Sequence, residues 1–197
     1  MEADEIQRLI NAEADAVRHI PVTRQYEQAV NLIYNAVHVF RGKVITSGMG
    51  KAGQVAKIIA SKFSSTGTAA VFLHPAEAQH GDLGVLQQHD VLLMISNSGE
   101  TREVIELAEL ARKMFPAILM ILITGNAASS LSYYATVEIL TGCPDEICPL
   151  RLTPTTSTTV MNVIGDVLVM LMMKKINFTR EQYAKRHHGG YIGKMII

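Results

Sequence analysis

Hydroxyl, amide and basic side chains gather in short stretches between apolar runs. "SNSGET" (96–101) sets Ser96, Asn97, Ser98 and Thr101 where a strand-like run ends and a helical pattern begins. Backbone N–H groups at such a helix start, joined by hydroxyls, suit a phosphate or other small anion. The stretch also reads as a Ser98 N-cap with Glu100 and Glu103 in the first turn, where acidic residues favour the positive helix end. "SGMGKAG" (47–53) is a second anion-shaped turn, with Gly48, Gly50 and Gly53 in G-x-G-x-x-G spacing beside Ser47 and Lys51. A dinucleotide fold needs an acid about 20 residues on, where this chain has His74 and then Pro75. A triphosphate loop needs a glycine at position 45 and a hydroxyl after Gly-Lys; Ile45 and Ala52 stand there instead. Both nucleotide readings fail on their second requirement. What remains is a tight turn that packs helix on strand, with donors for one anion.

Three other stretches carry polar chemistry. "HPAEAQHGDLG" (74–84) holds His74, Glu77, His80 and Asp82 in an irregular loop between apolar strands. Active-site loops have this form, as do ordinary surface loops. "TPTTSTT" (153–159) suits the cap of a closing helix, and "RHHGGYIGK" (186–194) places His187 and His188 before a glycine hinge. Cys143 and Cys148 lack a second ligand pair, which argues against structural zinc and reads as two reduced thiols.

These loops require a frame. Apolar runs at 44–47, 69–74, 90–96, 117–124 and 136–140 alternate with helical patterns at 53–64, 100–114 and 127–134. Strands apolar on both faces, separated by helices, make a parallel sheet covered on both sides. The expected architecture is therefore a three-layer αβα sandwich with a five-stranded parallel sheet, preceded by helix over 3–40 with a break at Pro21. A long helix over 156–175 closes it. Ligands in such folds sit beyond the carboxyl ends of the strands, which selects the loops after residues 47, 74, 96 and 124.

The chain has 197 residues, 48% of them apolar, with 18 basic and 18 acidic side chains. That balance, without a basic run, argues against a nucleic-acid partner. The N-terminus is unlike a signal peptide. The run Val167–Met173 is shorter than the roughly 20 residues a bilayer requires, so no membrane association is expected.

Taken in order, "SGMGKAG", "HPAEAQHGDLG", "SNSGET", "CPLRLTPTTSTT" and "HHGGYIGK" resemble the sugar isomerase (SIS) domain, over residues 3 to 197. Within it they are similar to the D-arabinose 5-phosphate isomerases of bacterial surface-polysaccharide synthesis. The resemblance implies one cytoplasmic SIS domain of flavodoxin-like type: residues 1–42 helical, 43–175 the α/β core, and 176–197 a tail contributing to the active site. It implies that Ser96, Asn97, Ser98 and Thr101 hold the sugar phosphate, with Ser47 and Gly48 beside the substrate. Glu103, His187, Lys51 and His80 fall on catalytic positions, and no metal or organic cofactor is required. It further implies a homotetramer whose neighbouring subunits lend loops and tails. Two departures are expected to matter. The chain ends after "GKMII", where relatives continue into a pair of CBS domains. His187-His188-Gly189-Gly190 replaces the usual His-Pro-Gly-Gly. Competing expectations are another phosphosugar isomerase, acting on a heptulose or hexulose phosphate, and a non-catalytic phosphosugar sensor.

Overall fold

The computed structural model describes residues 3–187. Five strands, β1 (Val44–Gly48), β2 (Ala70–Phe72), β3 (Val91–Ile95), β4 (Leu119–Thr124) and β5 (Val137–Leu140), form one sheet in the order β2-β1-β3-β4-β5. All four pairings are parallel. β1 and β3 are buried throughout, as central strands covered on both faces must be. Their side chains divide by alternation. Val91, Leu93 and Ile95 face one helical layer, while Leu92 and Met94 face the other.

The first layer holds α2 (Gln25–Tyr34), α3 (Gly50–Ser65) and α6 (Thr156–Lys175). The second is built on α4 (Pro75–Ala78) and α5 (Arg102–Met114). These layers make the expected three-layer sandwich. α1 (Ala3–Arg18) lies along α6 without burying any residue of its own. α2 continues as a π-turn over Asn35–Val39, and the chain between α1 and α2 is irregular around Pro21.

α6 is long and apolar enough to cross a membrane by length and composition, with half of its most apolar window buried. Its buried positions, including Val160, Met161, Ile164, Leu168 and Met172, recur every three or four residues and pack into the core. At Gly165 a Cβ would lie 2.4 Å from Ile59 of α3, so glycine is what lets these two helices approach. Met170 and Leu171 remain exposed on the other side.

Two local expectations change. The helix expected over 127–134 is only a 3-10 turn, Ser130–Tyr133. Asn126 accepts the Ala128 N–H at 3.1 Å, and the Ser129 and Ser132 hydroxyls bond each other at 2.9 Å. Side chains that bond locally in this way offer the backbone an alternative to helix. α5 begins at Arg102, so Thr101 rather than Ser98 occupies its N-cap position.

The strand order locates the site. From β1 the chain passes through α3 to β2 on one side, then returns to β3 on the other. α3 and α5 therefore leave β1 and β3 on opposite faces, opening a crevice at the carboxyl ends of these adjacent strands. At the other end, Asp90 accepts from Lys43 Nζ at 2.7 Å and from the Lys43 and Gln87 N–H groups at 2.8 Å. Those bonds tie the starts of β1 and β3 together.

Candidate active site

The crevice is a cavity of about 330 Å³. Lys51 reaches it from the start of α3, Ser96, Asn97, Ser98 and Thr101 from the β3–α5 loop, and Ser157 and Thr158 from the first turn of α6. Glu146, on the loop before α6, completes the wall.

The β1–α3 turn is shaped by packing. A Cβ on Gly48 would lie 2.8 Å from the Ile95 carbonyl, and one on Gly53 would lie 2.6 Å from the Gly48 carbonyl. These glycines let the start of α3 sit against β1 and β3. Gly50 adopts φ +59 with open space around it, so it serves the turn itself. Lys51 follows on the exposed first turn. Ser47 is buried and its hydroxyl donates to the Leu73 carbonyl at 2.7 Å, holding β1 to the end of β2. Neither Ser47 nor Gly48 lines the cavity.

The β3–α5 loop is built for donors. Ser96 Oγ accepts the Gly99 N–H at 3.1 Å and lies 3.0 Å from Thr101 Oγ1. Ser98 Oγ accepts the Glu100 N–H at 3.1 Å. The Ser98 and Thr101 N–H groups have no acceptor among the described residues. An anion here meets free N–H groups, hydroxyls and the positive end of a 13-residue helix. Asn97 Oδ1 is buried, without a hydrogen-bond partner among the described residues, and lies 2.9 Å from where a Cβ on Gly125 would be.

Glu146 was not singled out by the sequence. Its Oε2 accepts the Thr155 and Thr156 N–H groups, each at 2.8 Å, and so caps α6, whose own N-cap side chain makes no such bond. Burial works to raise the pKa of this carboxyl; the neighbouring Ser157 hydroxyl and the N–H groups of residues 155–157 outweigh it and hold it below the ordinary carboxylate value. Ser157 Oγ itself stands beside the carboxylate outside good hydrogen-bond geometry. The available signal was a threonine-rich helix start preceded by an acidic loop residue.

The other sequence candidates lie elsewhere. His80 is exposed beyond α4, at the same end of the sheet as the cavity, and does not line it. Glu103 is half-buried in the first turn of α5 and also falls outside the lining. His187 stands at the opposite end of the molecule. It follows α7 (Arg180–Ala184), stacks on Tyr183 at 3.8 Å and bonds the Tyr183 carbonyl through Nδ1 at 2.9 Å. Tyr183 in turn meets Phe178, which packs against Gly67 just past the end of α3. The 20-residue α6 separates that end from the cavity by about 30 Å, at 1.5 Å per residue. His188 and the glycines after it lie outside the described residues.

A larger groove, about 810 Å³, runs between α2 and the end of α6. It is walled by side chains such as Tyr26, Leu171 and Lys174, and none of its lining comes from the loops at the carboxyl ends of the strands. The smaller cavity is the functional candidate because backbone donors and strand ends converge there. Among the described residues no three His, Cys, Asp or Glu side chains form a metal-holding group.

The model of the SIS domain matches residues 41–171. Arabinose 5-phosphate isomerase KdsD of Yersinia pestis is 40% identical over 177 residues, covering 88% of this chain and 53% of that protein. The Pseudomonas aeruginosa protein of the same name is 40% identical over 193 residues, covering 97% and 57%. The chain thus spans about half the length of the curated relatives it matches. Among solved structures, a candidate phosphosugar isomerase involved in capsule formation from Bacteroides fragilis superposes with a TM-score of 0.94 at 58% identity, covering 95% of this chain and 98% of that one. The c3406 protein of Escherichia coli CFT073, in complex with arabinose 5-phosphate, gives a TM-score of 0.83 at 34% identity, covering 95% and 100%. The segments that line the cavity fall inside the matched span, and the chain belongs to the SIS domain family.

Proposed function

We propose that the protein is an aldose–ketose isomerase interconverting D-ribulose 5-phosphate and D-arabinose 5-phosphate in bacterial surface-polysaccharide synthesis. The observation that carries this reading is the anion site of the β3–α5 loop facing Lys51 and Glu146 across one small cavity. The arabinose 5-phosphate complex of the Escherichia coli relative and the names of the curated relatives support the substrate. The phosphate docks on Ser96, Ser98 and Thr101 and the N-terminus of α5, and the sugar chain runs toward Lys51, Asn97 and Glu146.

The reaction moves one proton between adjacent carbons. A base takes a proton from C1 of the ketose, the C1–H electron pair becomes the C1=C2 bond, and O2 gains a proton to give the enediol. Loss of the O1 proton and return of a proton to C2 give the aldose. The face on which C2 is protonated selects arabinose over ribose. The substrate's own carbonyl acidifies the carbon, so neither a metal nor an organic cofactor is called for.

Lys51 stabilises the enediolate oxygen by its charge. Two carboxylates compete for the role of base. Glu146 is committed to the α6 cap and held below the usual carboxylate range, which weakens it as a base. Glu103, two residues past Thr101, is assigned the proton transfer. His187 moves protons between O1 and O2 or opens the cyclic aldose, an imidazole being able both to give and to take a proton. His80 assists at the carbonyl, and Ser47 and Gly48 support the wall from behind. His187 lies a helix length from its own cavity, so it serves another copy's site within a cytoplasmic homotetramer.

Exchange in D2O tests the carbon chemistry. Wild-type protein should place deuterium from solvent on C2 of the aldose. Glu103→Gln should abolish exchange, whereas Glu146→Gln should retain it at a reduced rate; the reverse ranking transfers the role of base to Glu146. Exchange absent from the wild type, with phosphate binding intact, supports the sensor instead. Mixing inactive Glu103→Gln with inactive His187→Ala should restore activity if sites are shared between copies. Mixtures that stay inactive after subunit exchange would mean that His187 does not serve another copy's site, and full activity of His187→Ala alone would remove it from the chemistry.

A further inference from the structure

The phosphate loop is held from behind by the segment that follows β4. Three successive carbonyls of the loop are bound from that side. Asn97 O accepts the Gly125 N–H at 2.9 Å and the Thr124 hydroxyl at 3.3 Å. Ser98 O accepts Asn126 Nδ2 at 3.2 Å, and Gly99 O accepts the Leu131 N–H at 3.1 Å. Glu100 completes the junction, its Oε1 accepting the Ser130 N–H at 2.8 Å and its Oε2 the Ser130 hydroxyl at 2.6 Å. The two segments are in contact: a Cβ on Gly99 would lie 2.1 Å from Ser129 Oγ.

In a trans peptide the N–H points opposite to the carbonyl of the same plane. Binding the Asn97 carbonyl from the β4 side therefore turns the Ser98 N–H away from β4. The next two N–H groups, of Gly99 and Glu100, are delivered to Ser96 Oγ and Ser98 Oγ. Each of those hydroxyls has then filled an acceptor position. Ser98 keeps its hydrogen to give to an anion, and the Ser96–Thr101 pair keeps one of its two.

We propose that Asn126, Ser130 and Glu100 are positioning residues that hold the 98–100 segment so that the Gly99 and Glu100 N–H groups fix the Ser96 and Ser98 hydroxyls as preformed donors for the substrate phosphate, beside the open Ser98 and Thr101 N–H groups. This rests on reading the loop as a phosphate site and assigns its preorganisation to side chains outside the cavity lining. Freezing the array before binding removes an ordering cost that would otherwise weaken affinity. The carboxyl of Glu100 is held below its ordinary value, first by the Ser130 hydroxyl and then by the Ser130 N–H, so the junction stays ionised through neutral pH.

Asn126→Asp is the sharpest test. It keeps the shape and the acceptor for Ala128 N–H, replaces the donor to Ser98 with a carboxylate oxygen, and adds a negative charge whose effect the uncharged Ser130→Ala separates. Ser130→Ala removes a single hydroxyl and serves where the first variant folds poorly. Inorganic phosphate affinity by 31P NMR titration, KM and kcat for ribulose 5-phosphate, and Tm are measured on each. Loss of one such bond should raise the phosphate Kd and the KM together, roughly three- to tenfold. kcat should stay within about twofold, and Tm within about 3 °C. An unchanged phosphate Kd in a folded variant overturns the proposal, as does a Kd that rises only with a large fall in Tm. If the wild type fails to isomerise ribulose 5-phosphate while the variants still lose phosphate affinity, the substrate reading falls and the positioning role stands.

Discussion

The turns after β1 and β3 sit on adjacent strands, and both read from the sequence as anion loops, yet they are built differently. In the first, Gly48 and Gly53 answer to backbone oxygens within 3 Å of where their Cβ atoms would be. In the second, the carbonyls are tied down from outside and, among the described residues, the Ser98 and Thr101 N–H groups are left open. The first turn is a packing device that delivers one charge, Lys51. The second is a binding device. Glycine spacing therefore reports close approach, whereas the density of hydroxyls reports the ligand.

Substitutions can break this comparison, beginning with the largest effect. Lys51→Met should lower kcat about 100-fold, the scale of losing a charged stabiliser of a developing oxyanion, with phosphate affinity little changed. A KM effect alone would move Lys51 from the chemistry to the phosphate. Gly53→Ala should cost about 3 kcal/mol through the clash with the Gly48 carbonyl, or roughly 6–12 °C in Tm. Gly50→Ala, strained only by its positive φ, should cost about 1 kcal/mol. Equal losses at the two positions would show that turn conformation, rather than packing, governs the first loop. Ser98→Ala should raise KM about tenfold, for one bond to a charged group, and leave Tm unchanged.

The smallest effect concerns the carboxylate cap of α6. A carboxyl whose folded-state pKa is depressed contributes stability above its unfolded value and loses it as pH falls through the folded one. Glu146→Gln should lower Tm by about 2–4 °C at neutral pH, for a cap worth about 1 kcal/mol. The difference from wild type should vanish below the ordinary carboxylate range. A gap that persists in acid would mean that the cap does not depend on ionisation.

Much of the frame was legible because burial on both faces leaves uninterrupted apolar runs, as in β3 and β4. Strand order was not, since an apolar run does not say which strand lies beside it. The order matters most, because it sets β1 beside β3 and brings Lys51 to the serine loop. The 127–134 segment misled because its alanines and tyrosines fit a helical period, while Asn126, Ser129 and Ser132 spend their side chains on local bonds. Ser47 is expected beside the substrate, and its hydroxyl donates to the Leu73 carbonyl, a contact 26 residues away that no local pattern encodes. Glu146 was missed for the converse reason. It follows Asp145 in an irregular loop, and nothing local says which acid of that loop the fold carries to the start of α6.

Product identification tests the central claim most directly. The purified protein is incubated with D-ribulose 5-phosphate labelled with 13C at C2, without added metal, and followed by NMR. Growth of arabinose 5-phosphate signals to a constant ratio, and the same ratio reached from arabinose 5-phosphate, is the predicted result. An unchanged spectrum, or ribose 5-phosphate as the product, would contradict it.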